Sequence, residues 1–185
     1  MQGNETFLKK INKFMSIVFH FAPLIIIIFF STNPLKAQSK EKIYNYIQTL
    51  NNFSSSFIQT ENSSNSEGRL FTNNSRIKIK YSSPSNIEII IAKNKGMYFN
   101  RDLEEVEFFN PKDSIGEIFY NVFFNQKFLD NAIFFHEASY STIKKKISFN
   151  NAEYAILLYF ENRPIKIRKI KISGKDYKVD LGIYN

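Results

Sequence analysis

The chain of 185 residues contains no cysteine, no tryptophan and only two histidines, His20 and His136. The absence of cysteine excludes disulfides, thiol nucleophiles, iron–sulfur clusters and zinc sites built from thiolates. It also excludes anchoring through a lipidated N-terminal cysteine. Two histidines are too few for a multi-histidine metal site. The chain is therefore poorly equipped for redox or metal chemistry.

The sequence also lacks the motifs by which many enzymes bind or activate a substrate. Paired catalytic carboxylates, a glycine-rich phosphate loop and a Ser/His/Asp arrangement are not evident, and His136 has no obvious partner. The acidic residues between Asp102 and Glu107 are typical of solvated strand and turn faces. We therefore predict no enzyme activity, no catalytic residue, no cofactor and no metal.

Apolar residues and positive charge are what the chain has in quantity. It is 43% hydrophobic, contains 20 Phe and 10 Tyr, and has a formal net charge of +8. This length suits a single domain. The basic clusters Lys144–Lys146 and Arg168-Lys169 are not accompanied by a nucleic-acid recognition motif, so no nucleic-acid partner is predicted.

Residues 1–37 have the layout of a secretory signal peptide. Three lysines precede an apolar run over residues 14–30, Pro34 follows the run, and Ala37 offers a small residue for cleavage. The alternative is an uncleaved anchor, because a run of about 17 residues lies near the lower limit for crossing a bilayer. We predict export, cleavage near Ala37 and one domain over residues 38–185.

The remainder of the chain combines two amphipathic helices with many short strands. A helix that Ser39 could cap carries Ile43, Ile47 and Leu50 on one face. Strand patterns follow from residue 55 to 109, apart from a polar loop over 61–66, and resume from 143 to 183. A second helix, beginning near Pro111, separates the two groups, and residues 126–142 are ambiguous. Turn signals recur about every 10 residues, which indicates an antiparallel barrel or sandwich.

The alternation within the strands predicts a strongly curved sheet. In Arg76–Tyr81, the residues Ile77, Ile79 and Tyr81 face one way and the basic residues face the other. In Ile165–Ile172 the alternation reverses between Arg168 and Lys169, and a β-bulge there would return all four isoleucines to one face. We predict an α+β fold, mostly antiparallel, with the helices over its concave apolar side.

The order of these segments resembles the periplasmic outer-membrane lipoprotein carrier family (LolA-type). The resemblance spans nearly all of the chain after residue 37, and it rests on six short motifs in the family's order. They are Phe57-Ile58-Gln59-Thr60, Glu67-Gly68-Arg69-Leu70-Phe71, Lys78-Ile79-Lys80-Tyr81-Ser82-Ser83-Pro84, the hairpin from Ile89 to Val106, Arg163-Pro164-Ile165-Lys166-Ile167-Arg168-Lys169-Ile170 and Tyr177-Lys178-Val179-Asp180-Leu181.

The resemblance implies an unclosed half-barrel whose helices form a lid. It also implies a monomeric periplasmic chaperone that carries the acyl chains of lipoproteins from the inner to the outer membrane. The implied partners are acylated lipoproteins, an inner-membrane lipoprotein release transporter and an outer-membrane lipoprotein receptor. Parity and resemblance together nominate as cavity or lid residues Phe57, Leu70, Ile77, Ile79, Tyr81, Ile89, Ile91, Met97, Phe99, Ile118, Phe119 and Val122.

The chain departs from the family pattern at one position linked to gating. The family has an Arg-Pro pair before its third strand, and its arginine holds the lid closed. Asn73-Asn74 occupies that place here, and Arg76 is the candidate substitute. An alternative interpretation therefore stays open: a related half-barrel module that binds a protein partner or senses lipoproteins in the periplasm.

Overall fold

A computed structural model describes residues 34–61, 64–175 and 177–184 of the chain. Residues 40–185 form one compact unit. The predicted signal peptide lies outside the described residues except for its last four, so its cleavage stays a prediction. Among the helices that the structure describes, none combines the length and the apolar character needed to cross a membrane.

The described residues form one antiparallel sheet of two meanders, β1–β6 and β7–β11, joined by the pairing of β1 with β11, together with two α-helices and two 3-10 helices. The sheet order is β6-β5-β4-β3-β2-β1-β11-β10-β9-β8-β7, so β6 and β7 are its free edges. The elements are α1 (Pro34–Thr49), β1 (Phe53–Glu61), β2 (Ser64–Asn73), β3 (Arg76–Ser83), β4 (Ile87–Ala92), β5 (Gly96–Asn100), β6 (Glu105–Phe109), a 3-10 helix (Pro111–Asp113), α2 (Gly116–Phe124), a second 3-10 helix (Gln126–Leu129), β7 (Ile133–His136), β8 (Tyr140–Phe149), β9 (Ala152–Asn162), β10 (Ile165–Ser173) and β11 (Lys178–Tyr184).

The fold is an unclosed half-barrel, which confirms the predicted fold class. The segment between the two edge strands crosses the concave side, where the buried face of α2 packs. The predicted β-bulge is confirmed, because the pairing of β10 with β9 passes from Ile167 directly to Lys169 and leaves Arg168 out of register. Ile167, Ile170 and Ile172 are consequently all buried on one face. Such bulges increase local twist and help a sheet curve.

Two sequence predictions about element boundaries are corrected, and a region that the sequence left open is assigned. Ser39 lies inside α1 rather than capping it, because the helix begins at Pro34. The stretch predicted as a polar loop is partly strand, since β1 and β2 remain paired as far as Glu61 and Ser64. The ambiguous region 126–142 contains β7 and the start of β8.

Helix α1 is tied to the sheet by both apolar and polar contacts. Ile43 and Leu50 are each 1% exposed. The Tyr46 hydroxyl accepts a hydrogen bond from the Ile167 backbone N–H at 3.1 Å. At the end of the helix, the buried Thr72 hydroxyl donates to the Leu50 carbonyl and accepts from the Phe53 backbone N–H at 3.0 Å. These bonds satisfy groups that the helix terminus leaves unpaired.

Candidate functional site

The concave side of the sheet contains an apolar cavity of about 370 Å³ beneath α2. This volume lies within the range of about 300–1,000 Å³ that is typical of small-molecule sites. Strands β1, β3, β4, β5, β6 and β11 and the segment leading into α2 all contribute to its walls. The lining residues are Gln59, Ile79, Tyr81, Ile89, Ile91, Tyr98, Glu107, Phe109, Ser114, Ile115, Gly116, Phe119, Tyr177, Val179 and Leu181.

Cross-strand register explains why these residues meet. Ile79 pairs with Ile89, Ile89 with Tyr98, and Tyr98 with Glu107, so one row of the concave face runs across four strands. In the next row, Gly96 pairs with Phe109. A Cβ at Gly96 would lie 2.3 Å from the Phe109 ring, so glycine is what allows this ring to lie flat against the strand.

One end of the cavity is polar. The Tyr81 hydroxyl donates to Oε1 of Gln59 at 2.7 Å. Burial, with smaller contributions from Tyr177 and the negative charge of Glu61, raises the pKa of Tyr81 to about 12. Burial and the charge of Glu61 also raise the pKa of Tyr177. Both hydroxyls are therefore neutral at physiological pH, and that of Tyr81 uses its proton in the bond to Gln59.

A smaller pocket of about 250 Å³ adjoins this polar end. It shares Gln59, Tyr81, Ile89 and Tyr98 with the apolar cavity, and its other walls are rich in hydroxyl groups. The residues of these other walls are Ser66, Ser83, Pro84, Ser85 and Ile87. The two pockets together form an apolar slot that continues into a shallow polar vestibule.

Five of the predicted site residues line the apolar cavity. They are Ile79, Tyr81, Ile89, Ile91 and Phe119. Five others face the same interior but are packed into the core, where their exposure is 0–2%. These are Phe57, Leu70, Ile77, Ile118 and Val122.

The predicted placement of Met97 and Phe99 in the cavity is corrected. In register, Met97 pairs with Ile90 and Phe99 with Glu88, so both lie on the convex face, and Tyr98 takes the concave position. Phe99 lies beneath the Arg101 guanidinium at 5.2 Å. The side chains of Met97 and Phe99 therefore cover the outside of the sheet.

Arg76, the candidate gating residue, is exposed at the start of β3 and pairs with Asn73 and Ala92. The parity of β3 places it on the same face as Lys78 and Lys80, away from the cavity. The two-residue turn before it has positive φ angles at Asn74 and Ser75. The structure does not bring Arg76 to the apolar cavity.

The convex face of the same strands carries a buried carboxylate. Glu88 is 6% exposed, and its oxygens lie 2.6 Å from Lys78 Nζ and 3.1 Å from Arg101 Nη2. Burial alone would raise the pKa of Glu88, but hydrogen bonds from Lys78 and Arg101 and the charges of Lys78 and Lys80 outweigh it, so the pKa is lowered. The basic residues of β3 are thereby held on the outside of the sheet.

A second, larger groove of about 700 Å³ lies between the end of α1 and the end of α2. Its rim is dominated by amides, including Gln48, Asn51, Asn73, Asn74 and Asn125. It contains the position where the resemblance would place a gating arginine. We place the candidate site in the smaller cavity, because an amide-lined groove offers little apolar surface to an acyl chain.

His136 does have a partner, contrary to the sequence interpretation. Its Nδ1 lies 2.8 Å from the Ser141 hydroxyl, which donates to Oδ1 of Asn162 at 2.7 Å. The Asn162 amide in turn donates to the Glu137 carbonyl at 2.7 Å. Ser141 is 0% exposed, and its hydroxyl donates a hydrogen bond to the Asn162 side chain rather than to the imidazole. This arrangement joins β7, β8 and β9 and does not activate a nucleophile.

Several cavity residues escaped the sequence analysis. Val179 and Leu181 alternate with more exposed residues along β11, as the inward residues of β3 do, so their inward position could have been predicted from the sequence. The inward position of Tyr98, Phe109 and Tyr177 could not have been predicted, because aromatic residues occur on both faces of these strands.

Comparison with known proteins agrees with this architecture. No curated protein matches the chain. The model of the family described as outer membrane lipoprotein carrier protein LolA matches residues 48–180, which is well over half of the chain and includes the strands lining the cavity up to the first half of β11. The chain belongs to the LolA family of outer-membrane lipoprotein carrier proteins.

Proposed function

We propose that this protein binds the acyl chains of lipoproteins in the apolar cavity beneath α2 and shuttles them through the periplasm from the inner to the outer membrane. The LolA family supports a carrier role in general, and its members are periplasmic carriers rather than enzymes. The observation that carries the proposal is the cavity itself, with the isoleucines of β3 and β4 on one wall and Phe119 on the other.

The energetics of transfer explain why a carrier needs such a cavity. Each methylene withdrawn from water contributes about 0.8 kcal/mol of transfer free energy, so an acyl chain of about 16 carbons loses roughly 12 kcal/mol when it leaves a membrane for water. A soluble carrier must offer comparable burial while the cargo crosses an aqueous compartment.

Release of the cargo requires that the cavity can change shape. The cavity is roofed by α2 rather than enclosed by a complete barrel. We infer that an outward movement of α2 admits and releases the acyl chain.

The proposed partners follow from this role. An inner-membrane lipoprotein release transporter would supply the cargo and an outer-membrane lipoprotein receptor would accept it. The N-terminal segment of residues 1–37 would direct export and be removed near Ala37, leaving a monomeric domain over residues 38–185.

Mass spectrometry of protein isolated from the periplasm tests the proposal. The chain is expressed from its full sequence together with an inner-membrane lipoprotein release complex. We expect acylated lipoproteins or their lipid-bearing fragments to co-purify, and we expect the mature N-terminus to lie near residue 38. Reproducible absence of acylated cargo would exclude carriage, and retention of Met1 in the membrane fraction would indicate an anchor.

A further inference from the structure

We propose that the mouth of the cavity selects for acyl chains with an uncharged ester or amide linkage, and against amphiphiles with an anionic head such as fatty-acid carboxylates. This inference rests on the proposed function. It concerns which acyl compounds the cavity accepts.

The first observation is the distribution of charge around the two connected pockets. Their described lining residues include no lysine, arginine or histidine, although the chain has 25 Lys and Arg residues. Among the described lining residues of both pockets, the one charged group is the carboxylate of Glu107. An anionic head would therefore meet a like charge and no compensating cation.

The second observation is where the same strands put their cations. Lys78 and Lys80 lie on the convex face of β3, where Glu88 pairs with them. Lys178 alternates with the inward residues Val179 and Leu181 on β11, so it also faces outward. The strands that build the cavity carry positive charge, but on the opposite side of the sheet.

The third observation concerns the polar vestibule. The carboxylate of Glu61 lies 3.4 Å from the Gln59 amide nitrogen, and Gln59 accepts from the Tyr81 hydroxyl. The negative charge of Glu61 acts on Tyr81 and Tyr177, both of which line the cavity. The vestibule thus offers neutral groups that can bond an ester or amide carbonyl, within a negative field that opposes a carboxylate.

Matched amphiphiles with one 12-carbon tail test the selectivity. Displacement of a neutral apolar fluorophore is measured at pH 8 with monolaurin, laurate and dodecyltrimethylammonium, below their micelle concentrations. We expect monolaurin to compete and dodecyltrimethylammonium to compete at least about tenfold better than laurate. The opposite charges of these two ligands control for solubility, and added salt should narrow the gap because exposed charges are screened.

Charge-neutralising variants then locate the effect. Glu107→Gln and Glu61→Gln are each expected to raise the effectiveness of laurate relative to monolaurin at least about threefold. Glu105→Gln is the matched control, because Glu105 lies on the same edge strand but lines neither pocket. This variant should leave the competition by laurate and by monolaurin as it is in the parent protein.

The outcomes separate the two proposals. If monolaurin and laurate both compete, with laurate as effective as dodecyltrimethylammonium, carriage of acyl chains stands and the selectivity is refuted. Equal effects of Glu107→Gln and Glu105→Gln would also refute it. If none of the three amphiphiles competes, the proposed function fails and the selectivity fails with it.

Discussion

The Tyr81 hydroxyl and the side-chain oxygen Oε1 of Gln59 are joined by a 2.7 Å hydrogen bond between β3 and β1. This bond lies where the apolar cavity meets the hydroxyl-rich vestibule, since both residues line both pockets. It fixes the position of a neutral phenol at the end of an otherwise apolar slot. Tyr81 also packs edge-on against Phe57, with ring centroids 5.2 Å apart, so the phenol is oriented from two sides.

Replacement of Tyr81 by phenylalanine should lower stability by about 1 kcal/mol at neutral pH, because one partly buried hydrogen bond is lost. The pKa of Tyr81 is raised to about 12 by burial, so the neutral phenol is favoured in the folded state. The stability that the neutral phenol contributes to the folded state is complete below the unfolded pKa of about 10 and is lost as the pH rises toward 12. The parent protein should therefore lose about 1–2 kcal/mol relative to Tyr81→Phe between pH 9 and 11.5, so that the variant becomes as stable as the parent or more stable.

Urea denaturation across this pH range provides the measurement, with Tyr98→Phe as a control that also lines the cavity. A deficit of Tyr81→Phe that stays constant to pH 11.5 would contradict the assignment of a neutral, buried phenol.

Replacement of Glu88 by glutamine should destabilise the protein by about 1–3 kcal/mol, because three cations on the convex face lose their shared carboxylate. The pKa of Glu88 is lowered by its bonds to Lys78 and Arg101, against the opposing effect of burial. Its contribution is therefore present above the unfolded pKa of about 4.3 and is lost as the pH falls through the lower folded value.

Thermal unfolding at pH 7 and at pH 3 should show a large difference between Glu88→Gln and the parent protein at pH 7 and a smaller one at pH 3. Glu105→Gln, an exposed acid on β6, should match the parent at both values. An equal deficit at the two pH values would show that the effect is not that of a paired carboxylate.

Gly68 is required by close packing between β2, β1 and β3. A Cβ there would lie 2.1 Å from the Lys80 carbonyl oxygen and 2.8 Å from the Phe57 ring. Gly68→Ala should cost at least about 2 kcal/mol, since the obstructing atom is backbone and cannot rotate away. At Gly182 the nearest atom to an added Cβ is 3.7 Å away, so Gly182→Ala should be nearly neutral. Similar midpoints for the two variants in urea would refute this packing argument.

Thr72 links the end of α1 to β2. Thr72→Val keeps the shape of the side chain but removes the bonds to the Leu50 carbonyl and the Phe53 N–H. Because Thr72 is 2% exposed, water cannot replace these bonds, and we expect a loss of about 1–3 kcal/mol. Thr60→Val, which removes an exposed hydroxyl bonded to Asn65, should cost less than about 0.5 kcal/mol. Equal costs in chemical denaturation would mean that α1 is not held in this way.

The sequence was most informative where apolar and charged residues alternate. Ile77 and Ile79 could be oriented because lysines and arginine separate them, and the reversal at Arg168 showed the bulge directly. Alternation failed in β5, where Met97, Tyr98 and Phe99 are consecutive apolar residues after Gly96. Nothing in such a run indicates which residue faces inward, and only the hairpin register decides it.

Strands held mainly by backbone pairing were also hard to predict. The first residues of β2 are polar and exposed, yet they pair with β1 from Ser64 onward. The vestibule could not be predicted either, because Gln59 and Ser66 lie on β1 and β2 while Tyr81, Ser83 and Ser85 follow on β3 and the turn after it. Their meeting depends on the register between these three neighbouring strands.

Two neighbouring isoleucines on opposite faces of β4 offer the most direct test of acyl-chain binding. Ile89 lines the cavity, while Ile90 pairs with Lys78 and Met97 on the convex face. A synthetic lipopeptide with palmitoylated glyceryl-cysteine is titrated into the parent protein, Ile89→Asp and Ile90→Asp, with circular dichroism to confirm that each is folded. The glutamine variants at both positions replace any aspartate variant that does not fold. We expect the parent and Ile90→Asp to bind the lipopeptide saturably, and Ile89→Asp to bind it at least about tenfold more weakly. No binding by the parent, or equal binding by the two variants, would contradict it.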